Sequence, residues 1–262
     1  MDLNLNGKTA VVCGSTQGIG MASAKELALL GANVVMMARN SEALKKACDE
    51  LPKPAKQDHQ ILVADFADPS QVESVIGDWT GQGGRAEILV NNTGGPPAGT
   101  ALESTVEQFR IAFNSHLICN QLLTQALVPG MKESKFGRII NIISISVKIP
   151  IPGLGVSNTT RGAVASWAKT LAGELASFGI TVNNLLPGLT WTGRLESLVN
   201  TTASKSGQTV DQVMAQMKAT VPAGRFGEAS ELGSVVAFLA SPAAAYVNGV
   251  NIPVDGGRTP CL

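Results

Sequence analysis

The chain has 262 residues, 44% of them hydrophobic, and its 20 basic and 20 acidic side chains cancel. That length fits one domain with a sizeable core, and a balanced charge without a long run of either sign excludes the electrostatic footprint of a nucleic-acid partner. No apolar stretch approaches the ~20 residues of a membrane span, and four scattered cysteines (Cys13, Cys48, Cys119 and Cys261) form neither a C-x-x-C pair nor a metal-ligand spacing. Met1 to Asn6 runs straight into a predicted strand, leaving no room for a signal peptide. A cytoplasmic protein with reduced thiols, no metal site, no membrane and no nucleic acid is expected.

Short β-branched runs alternate with longer amphipathic stretches, the pattern of βαβ units around a parallel sheet. In chain order, a strand is predicted at 9–12, a helix at 19–30, a strand at 33–37, a helix at 41–51, a strand at 60–64 and a helix at 69–80. Then follow a strand at 88–90, a long helix at 106–131, a strand at 138–143, a long helix at 158–178, a strand at 181–185, a helix at 229–240 and a strand at 251–253. Several strands are apolar nearly throughout, as strands buried on both faces are. Gly31 and Gly179 fall just past two helices, where a left-handed residue ends the turn. The predicted fold class is single-domain α/β, a Rossmann-like doubly wound parallel sheet of about seven strands with helices on both faces. The interval 191–221 is mixed, polar and partly helical, longer than a crossover requires, and is a candidate substrate lid.

Between the first strand and first helix lies Cys13-Gly14-Ser15-Thr16-Gln17-Gly18-Ile19-Gly20, with its glycines spaced G-x-x-x-G-x-G. Such a turn lets backbone N–H groups and a helix N-terminus face a pyrophosphate. Three later segments accompany it: Asn91-Asn92-Thr93-Gly94, Pro187-Gly188 with Thr192 four residues beyond, and Val254-Asp255-Gly256-Gly257. In this order and over essentially the whole chain, these motifs resemble those of the short-chain dehydrogenases/reductases. The resemblance implies a nicotinamide dinucleotide, with Gly14, Ser15, Gln17, Gly18, Ile19 and Gly20 at its phosphates and adenosine ribose. It likewise implies Asp65 and Phe66 at the adenine, Asn91, Thr93 and Gly94 on the ribose side, and Pro187, Gly188, Thr190 and Thr192 at the nicotinamide carboxamide and its phosphate. Cys13 stands where the family usually carries threonine; a thiol donates more weakly, which is expected to loosen the turn. The second strand ends Met36-Met37-Ala38-Arg39-Asn40, with no carboxylate before Glu42 to hold a ribose 2′-hydroxyl. Arg39 can instead pair with a 2′-phosphate through its planar fork. NADP is the expected cofactor, with NAD as the alternative.

At the reaction end the resemblance implies a tyrosine, a lysine four residues later, an orienting serine, and an asparagine on the preceding helix. Matching without gaps from Phe113 through Gly188 puts these positions at Ser157, Arg161, Ser144 and His116. Only the serine is retained, and the single tyrosine of the chain, Tyr246, lies in the C-terminal segment, where a subunit contact is expected. A serine hydroxyl is too weak an acid to replace a phenol of pKa ~10 unaided. Arg161 can bind ribose hydroxyls or an oxyanion but is a poor proton shuttle. His116 is expected to titrate near neutrality and to serve as general acid or base, and Lys148 to approach the same pocket. All the replacements are polar, whereas a drifting pocket tends to fill with apolar groups, since an unpaired buried polar group costs roughly 1–3 kcal/mol. Ser144, Ser157, Arg161 and His116 are therefore the candidate catalytic set of an NADP-dependent oxidoreductase acting on a carbonyl or alcohol. The alternative is a catalytically silent nucleotide-binding regulator or partner protein. Halohydrin dehalogenases also resemble this family and carry arginine at the lysine position, but they keep the tyrosine and lose the glycine turn.

Around the reacting position stand Ile149, Ile151, Leu154 and Trp191, and the lid candidate adds Leu195, Leu198, Val199, Val213, Met214 and Met217. These either line a cleft or pack on the core. If they line it, a moderately apolar small molecule is the expected substrate, with Lys148, Arg194 and Lys205 as the nearby cations. The family resemblance further implies a homotetramer or homodimer, joined through the two long helices and the last strand.

Overall fold

In the computed structural model, which describes residues 1–261, the chain begins with β1 (Thr9–Cys13), α1 (Gly18–Leu29), β2 (Asn33–Ala38), α2 (Ser41–Asp49), β3 (Gln60–Val63), α3 (Pro69–Gly81) and β4 (Ile88–Asn91). It continues through α4 (Val106–Phe113), α5 (Cys119–Ser134), β5 (Gly137–Ile142), α6 (Gly155–Leu175) and β6 (Ile180–Pro187). The last part holds β7 (Thr190–Trp191), α7 (Gly193–Ser206), α8 (Val210–Ala219), β8 (Gly227–Glu228), α9 (Ala229–Ala240) and β9 (Asn251–Val254). Seven strands pair in parallel in the order β3-β2-β1-β4-β5-β6-β9. This is the predicted doubly wound sheet, with its reversal of strand order between β1 and β4.

The apolar strand residues explain the layering. On one face Val34, Met36, Ile88 and Ile140 meet Leu27 of α1, Leu44 of α2 and Val236 of α9. On the other, Val35, Met37, Leu89 and Val182 meet Ile76 of α3 and Leu123 and Leu127 of α5. Local chemistry marks the helix ends. Asn40 caps α2 by accepting from the Ala43 N–H at 2.9 Å, and Asp68 caps α3, whose first residue is Pro69. Thr105 with Gln108 and Thr209 with Gln212 form capping boxes on α4 and α8. Gly31 (φ +98°) and Gly179 (φ +75°) are left-handed, as their positions after helices predict.

One polar feature crosses this apolar sheet. Asn91, Asn141, Asn184 and Asn251 stand in register on β4, β5, β6 and β9. Their amides form a chain, Asn91 Nδ2 to Asn141 Oδ1 (2.8 Å), Asn141 Nδ2 to Asn184 Oδ1 (2.9 Å) and Asn184 Nδ2 to Asn251 Oδ1 (2.8 Å).

Two predicted helices differ from the expectation. The stretch expected as one helix at 106–131 is interrupted by a π-helical turn, Asn114–Ile118, and then continues to Ser134 through Pro129. A π turn widens the helix by one residue and changes the direction of the side chains within it, here His116. The helix expected at 158–178 begins at Gly155 and closes in a 3₁₀ turn, Ala176–Phe178. The interval 191–221 resolves mainly into α7 and α8, with Trp191 on β7 paired to β8. Leu195, Val199, Ala203, Val213 and Phe226 make a small core of their own there, with Met214 and Met217 packed against it.

Candidate active site

The glycine turn after β1 is built by backbone proximity. Gly14 and Gly18 both have φ +56°. A Cβ on Gly14 would stand 2.5 Å from the Asn92 carbonyl oxygen, and one on Gly20 would collide with the Gly14 carbonyl. Asn92, just past β4, closes the arrangement: its Nδ2 donates to the carbonyls of Cys13 and Gly14, each at 3.2 Å. The segment after β6 approaches from the other side. Thr192 Cγ2 would be 3.3 Å from a Cβ on Gly18, and a Cβ on Gly188 would be 2.6 Å from Asp255 Cβ. All four sequence motifs thus meet at the strand ends. Ser15 Oγ and Thr190 Oγ1 are buried hydroxyls without a partner, while the space beyond Gly94 is open for 4 Å. Close backbone, free donors and open space suit a diphosphate-bearing dinucleotide.

A cleft of about 330 Å³ joins this turn to the reaction end. Gly14, Gln17, Gly18 and Ile19 line it, as do Thr93, Gly94, Pro187, Gly188, Thr190 and Thr192, together with Ser144, Ser157 and Arg161. Ser15, Gly20 and Asn91 lie buried behind that lining. Arg39, Asp65 and Phe66 do not line the cleft. Arg39 is exposed at the end of β2, Asp65 accepts from the Ala67 N–H at 3.0 Å, and Phe66 is buried with its carbonyl accepting from the Cys119 thiol at 3.4 Å. Cys13 is fully buried, and burial pushes its thiol pKa up, so it is a packed hydrophobe.

Ser144 follows β5 and caps the 3₁₀ turn Ile145–Val147; its Oγ accepts from the Ser146 N–H at 3.1 Å, which leaves its own proton free to donate. Ser157 and Arg161 are four residues apart on α6 and therefore on one face of the helix. Both are buried. Arg161 Nη1 donates to the Ile142 carbonyl at 2.9 Å, and its Nε has no partner. Burial, with Arg194 nearby, pulls the Arg161 pKa down to about 10, so it stays cationic at neutral pH.

His116 differs from its expectation in two ways. It does not itself line the cleft; its Nδ1 is 2.5 Å from the hydroxyl of Thr93, which does. It also does not titrate near neutrality: burial first, then Arg161 and Arg194, hold its pKa well below the usual imidazole value of 6.5. Lys148 and Lys205 are exposed and do not line the cleft, nor does Trp191, whose ring stacks on Phe226 at 5.6 Å. Of the apolar lid residues, Leu195 and Leu198 face the cleft, whereas Val199, Val213, Met214 and Met217 belong to the local core. Sequence reasoning missed Arg258, which enters the cleft from the segment after β9. Its one signal was position, two residues past Asp255-Gly256 in the last motif. Arg194 was legible as a nearby cation, but not its path across the cleft, where Nη1 and Nη2 donate to the carbonyls of Gly95 and Pro96 at 2.8 and 3.1 Å.

Comparison with known proteins agrees with this geometry. A sequence profile of the family described as enoyl-(acyl carrier protein) reductase matches residues 14–259. The 3-oxoacyl-(acyl-carrier-protein) reductase FabG of Vibrio cholerae is 32% identical over 255 residues, covering 97% of this chain and 98% of that one. The oxidoreductase UcpA of Escherichia coli is 33% identical over 260 residues, 97% of this chain and 95% of its own. Among solved structures, L-sorbose reductase from Gluconobacter frateurii, complexed with NADPH and L-sorbose, superposes with a TM-score of 0.94 at 32% identity, covering all of both chains. By sequence over nearly its whole length and by the topology of its sheet, the chain belongs to the short-chain dehydrogenase/reductase family.

Proposed function

We propose that the chain is an NADP-dependent oxidoreductase that moves a hydride between the nicotinamide and the carbonyl or alcohol of a moderately apolar small molecule. The observation that carries this reading is one cleft holding both the glycine turn and the polar set Ser144, Ser157 and Arg161, with His116 behind Thr93. It is supported by the relatives, a 3-oxoacyl reductase and an L-sorbose reductase complexed with NADPH. Gly14, Gly18 and Gly20, with Ser15 and Thr190, would hold the phosphates, and Arg39 at the open edge of β2 the 2′-phosphate. The segment 191–221 is the lid in this reading, because α7 carries Leu195 and Leu198 to the cleft. Assembly through α5, α6 and β9 completes it.

When bound, the nicotinamide supplies or takes up the hydride. Ser144, its lone pair engaged by the Ser146 N–H, donates a hydrogen bond to the substrate oxygen and orients it without giving up its proton. Arg161, anchored on the Ile142 carbonyl, offers its unpaired Nε–H to the negative charge that develops there. His116 is neutral near pH 7, so it holds Thr93 by hydrogen bonding and does not donate as an imidazolium. The protein's contribution is charge stabilisation and orientation, with water in the cleft as the proton source.

The test is NADPH oxidation, followed by absorbance, across a panel of ketones and oxo acids. Turnover is expected, and Ser144→Ala is expected to lower kcat/KM by about tenfold or more, as loss of one oxyanion donor does. Undiminished turnover in that variant removes Ser144 from the mechanism. NADPH binding without turnover of any carbonyl would instead make the chain a silent nucleotide-binding protein.

A further inference from the structure

Among the described residues lining the cleft, the charged ones are Arg161, Arg194 and Arg258, with no carboxylate side chain beside them. Over the whole chain, these three arginines included, basic and acidic residues balance at 20 each. The salt bridges among the described residues, Arg110–Glu107 and Arg225–Glu231, lie outside the cleft. Gathering guanidinium groups in a partly desolvated space is unfavourable, because like charges repel more strongly there and an unpaired buried charge is costly. A site with that composition is complete only when an anion enters it.

The three arginines are not equivalent. Arg161 is 8% exposed, tied to the Ile142 carbonyl, and lines the cleft with Ser144 and Ser157. Arg194 leaves the first turn of α7 and spans the cleft to the Gly95 and Pro96 carbonyls. Those neutral acceptors satisfy its N–H groups but leave its charge uncompensated. Its charge, after burial, also lowers the pKa of both Arg161 and His116. Arg258 enters from the loop after β9 and forms no salt bridge among the described residues. The same lining also carries the apolar side chains of Ile151, Leu154 and Leu198.

We propose that the small molecule handled here is an amphiphilic anion: a carbonyl or alcohol compound with an apolar body and a carboxylate, the carboxylate held by Arg194 and Arg258. This deepens the oxidoreductase reading and rests on it for the reaction, but the anion site itself does not need turnover. Two guanidinium forks match a carboxylate through paired N–H···O bonds, and Arg194 can exchange the backbone carbonyls of Gly95 and Pro96 for it. The apolar lining takes the body of the molecule, and Arg161 remains for the reacting oxygen.

The experiment is calorimetric titration of hexanoate and of its neutral isostere hexanamide, each into the full chain with and without saturating NADP. Hexanoate is expected to bind about tenfold or more tighter than hexanamide, the scale of charge-assisted hydrogen bonds. Arg194→Met and Arg258→Met are each expected to erase that preference while leaving NADP affinity within about twofold, since neither fork is assigned to the cofactor. Equal binding of the two probes, or binding of neither, overturns the proposal. So does a preference that survives both substitutions. Substitutions that weaken NADP as much as hexanoate also overturn it, for then the arginines serve the cofactor's phosphates. If NADP fails to bind while the hexanoate preference and its loss in the variants persist, the oxidoreductase reading falls and the anion site stands.

Discussion

Two residues show how position in the fold changes what a side chain can do. Arg39 is exposed at the end of β2, away from any carboxylate partner among the described residues, so its planar fork is available to a 2′-phosphate. Arg39→Ala is expected to weaken NADPH by about tenfold, the scale of one charge-assisted pair, and to leave NADH nearly unchanged; equal losses in fluorescence titrations would remove the residue from cofactor choice. His116 is held neutral in the folded chain by burial and by Arg161 and Arg194. Below its ordinary pKa of 6.5 the unfolded chain therefore takes up a proton that the folded chain refuses, and stability falls as pH falls through that window. His59 adds a term of the same sign, because burial lowers its pKa as well. Glu231, held down to about 2 chiefly by its hydrogen bond with Arg225, adds a third term of the same sign, lost only in stronger acid, as pH falls from its ordinary 4.5 towards 2. The urea midpoint should thus drop between about pH 7 and pH 5. His116→Gln should shrink that drop, and an unchanged pH slope in the variant would mean the imidazole is charged in the folded state.

At the scale of elements, the turn before α1 and the middle of α3 give glycine opposite meanings. Gly20 lies in the first turn of α1, where any Cβ meets the Gly14 carbonyl and Asn92 Nδ2. Gly20→Ala must push the turn open, an overpacking cost of about 1–3 kcal/mol, with cofactor binding lost alongside stability. Gly77 lies exposed in α3 with nothing within 4 Å of a Cβ. Gly77→Ala should raise stability by about 0.5–1 kcal/mol through helix propensity. Thermal unfolding of the two variants, with NADPH titration of the first, checks both. The π turn at Asn114–Ile118 is the other lesson at this scale. It breaks a helix that the sequence presents as continuous, and by doing so it brings His116 to Thr93.

Across the whole molecule, the asparagine chain ties β4, β5, β6 and β9 together beside the cleft. Asn141 is fully buried and is both acceptor and donor in that chain. Asn141→Leu leaves the Asn91 amide and the Asn184 carbonyl oxygen without partners, a cost of about 2–6 kcal/mol at about 1–3 kcal/mol for each unpaired group. A chemical-denaturation midpoint within error of the unchanged chain would mean that water or a repacked neighbour replaces both bonds.

The order of strands and helices, the doubly wound class and the glycine turn were legible in the sequence, because each rests on local chemistry. Apolar runs bury on two faces, capping residues end helices, and only glycine fits where backbones touch, as at Gly14 and Gly20. Ser144, Ser157 and Arg161 were also legible, since spacing along one strand end and one helix face survives folding. What only the tertiary structure decided is the electrostatics of the cleft. The charge state of His116, the span of Arg194 and the entry of Arg258 depend on which distant segments come close and exclude water. Proximity and desolvation act between residues far apart in the chain, and no local pattern encodes them.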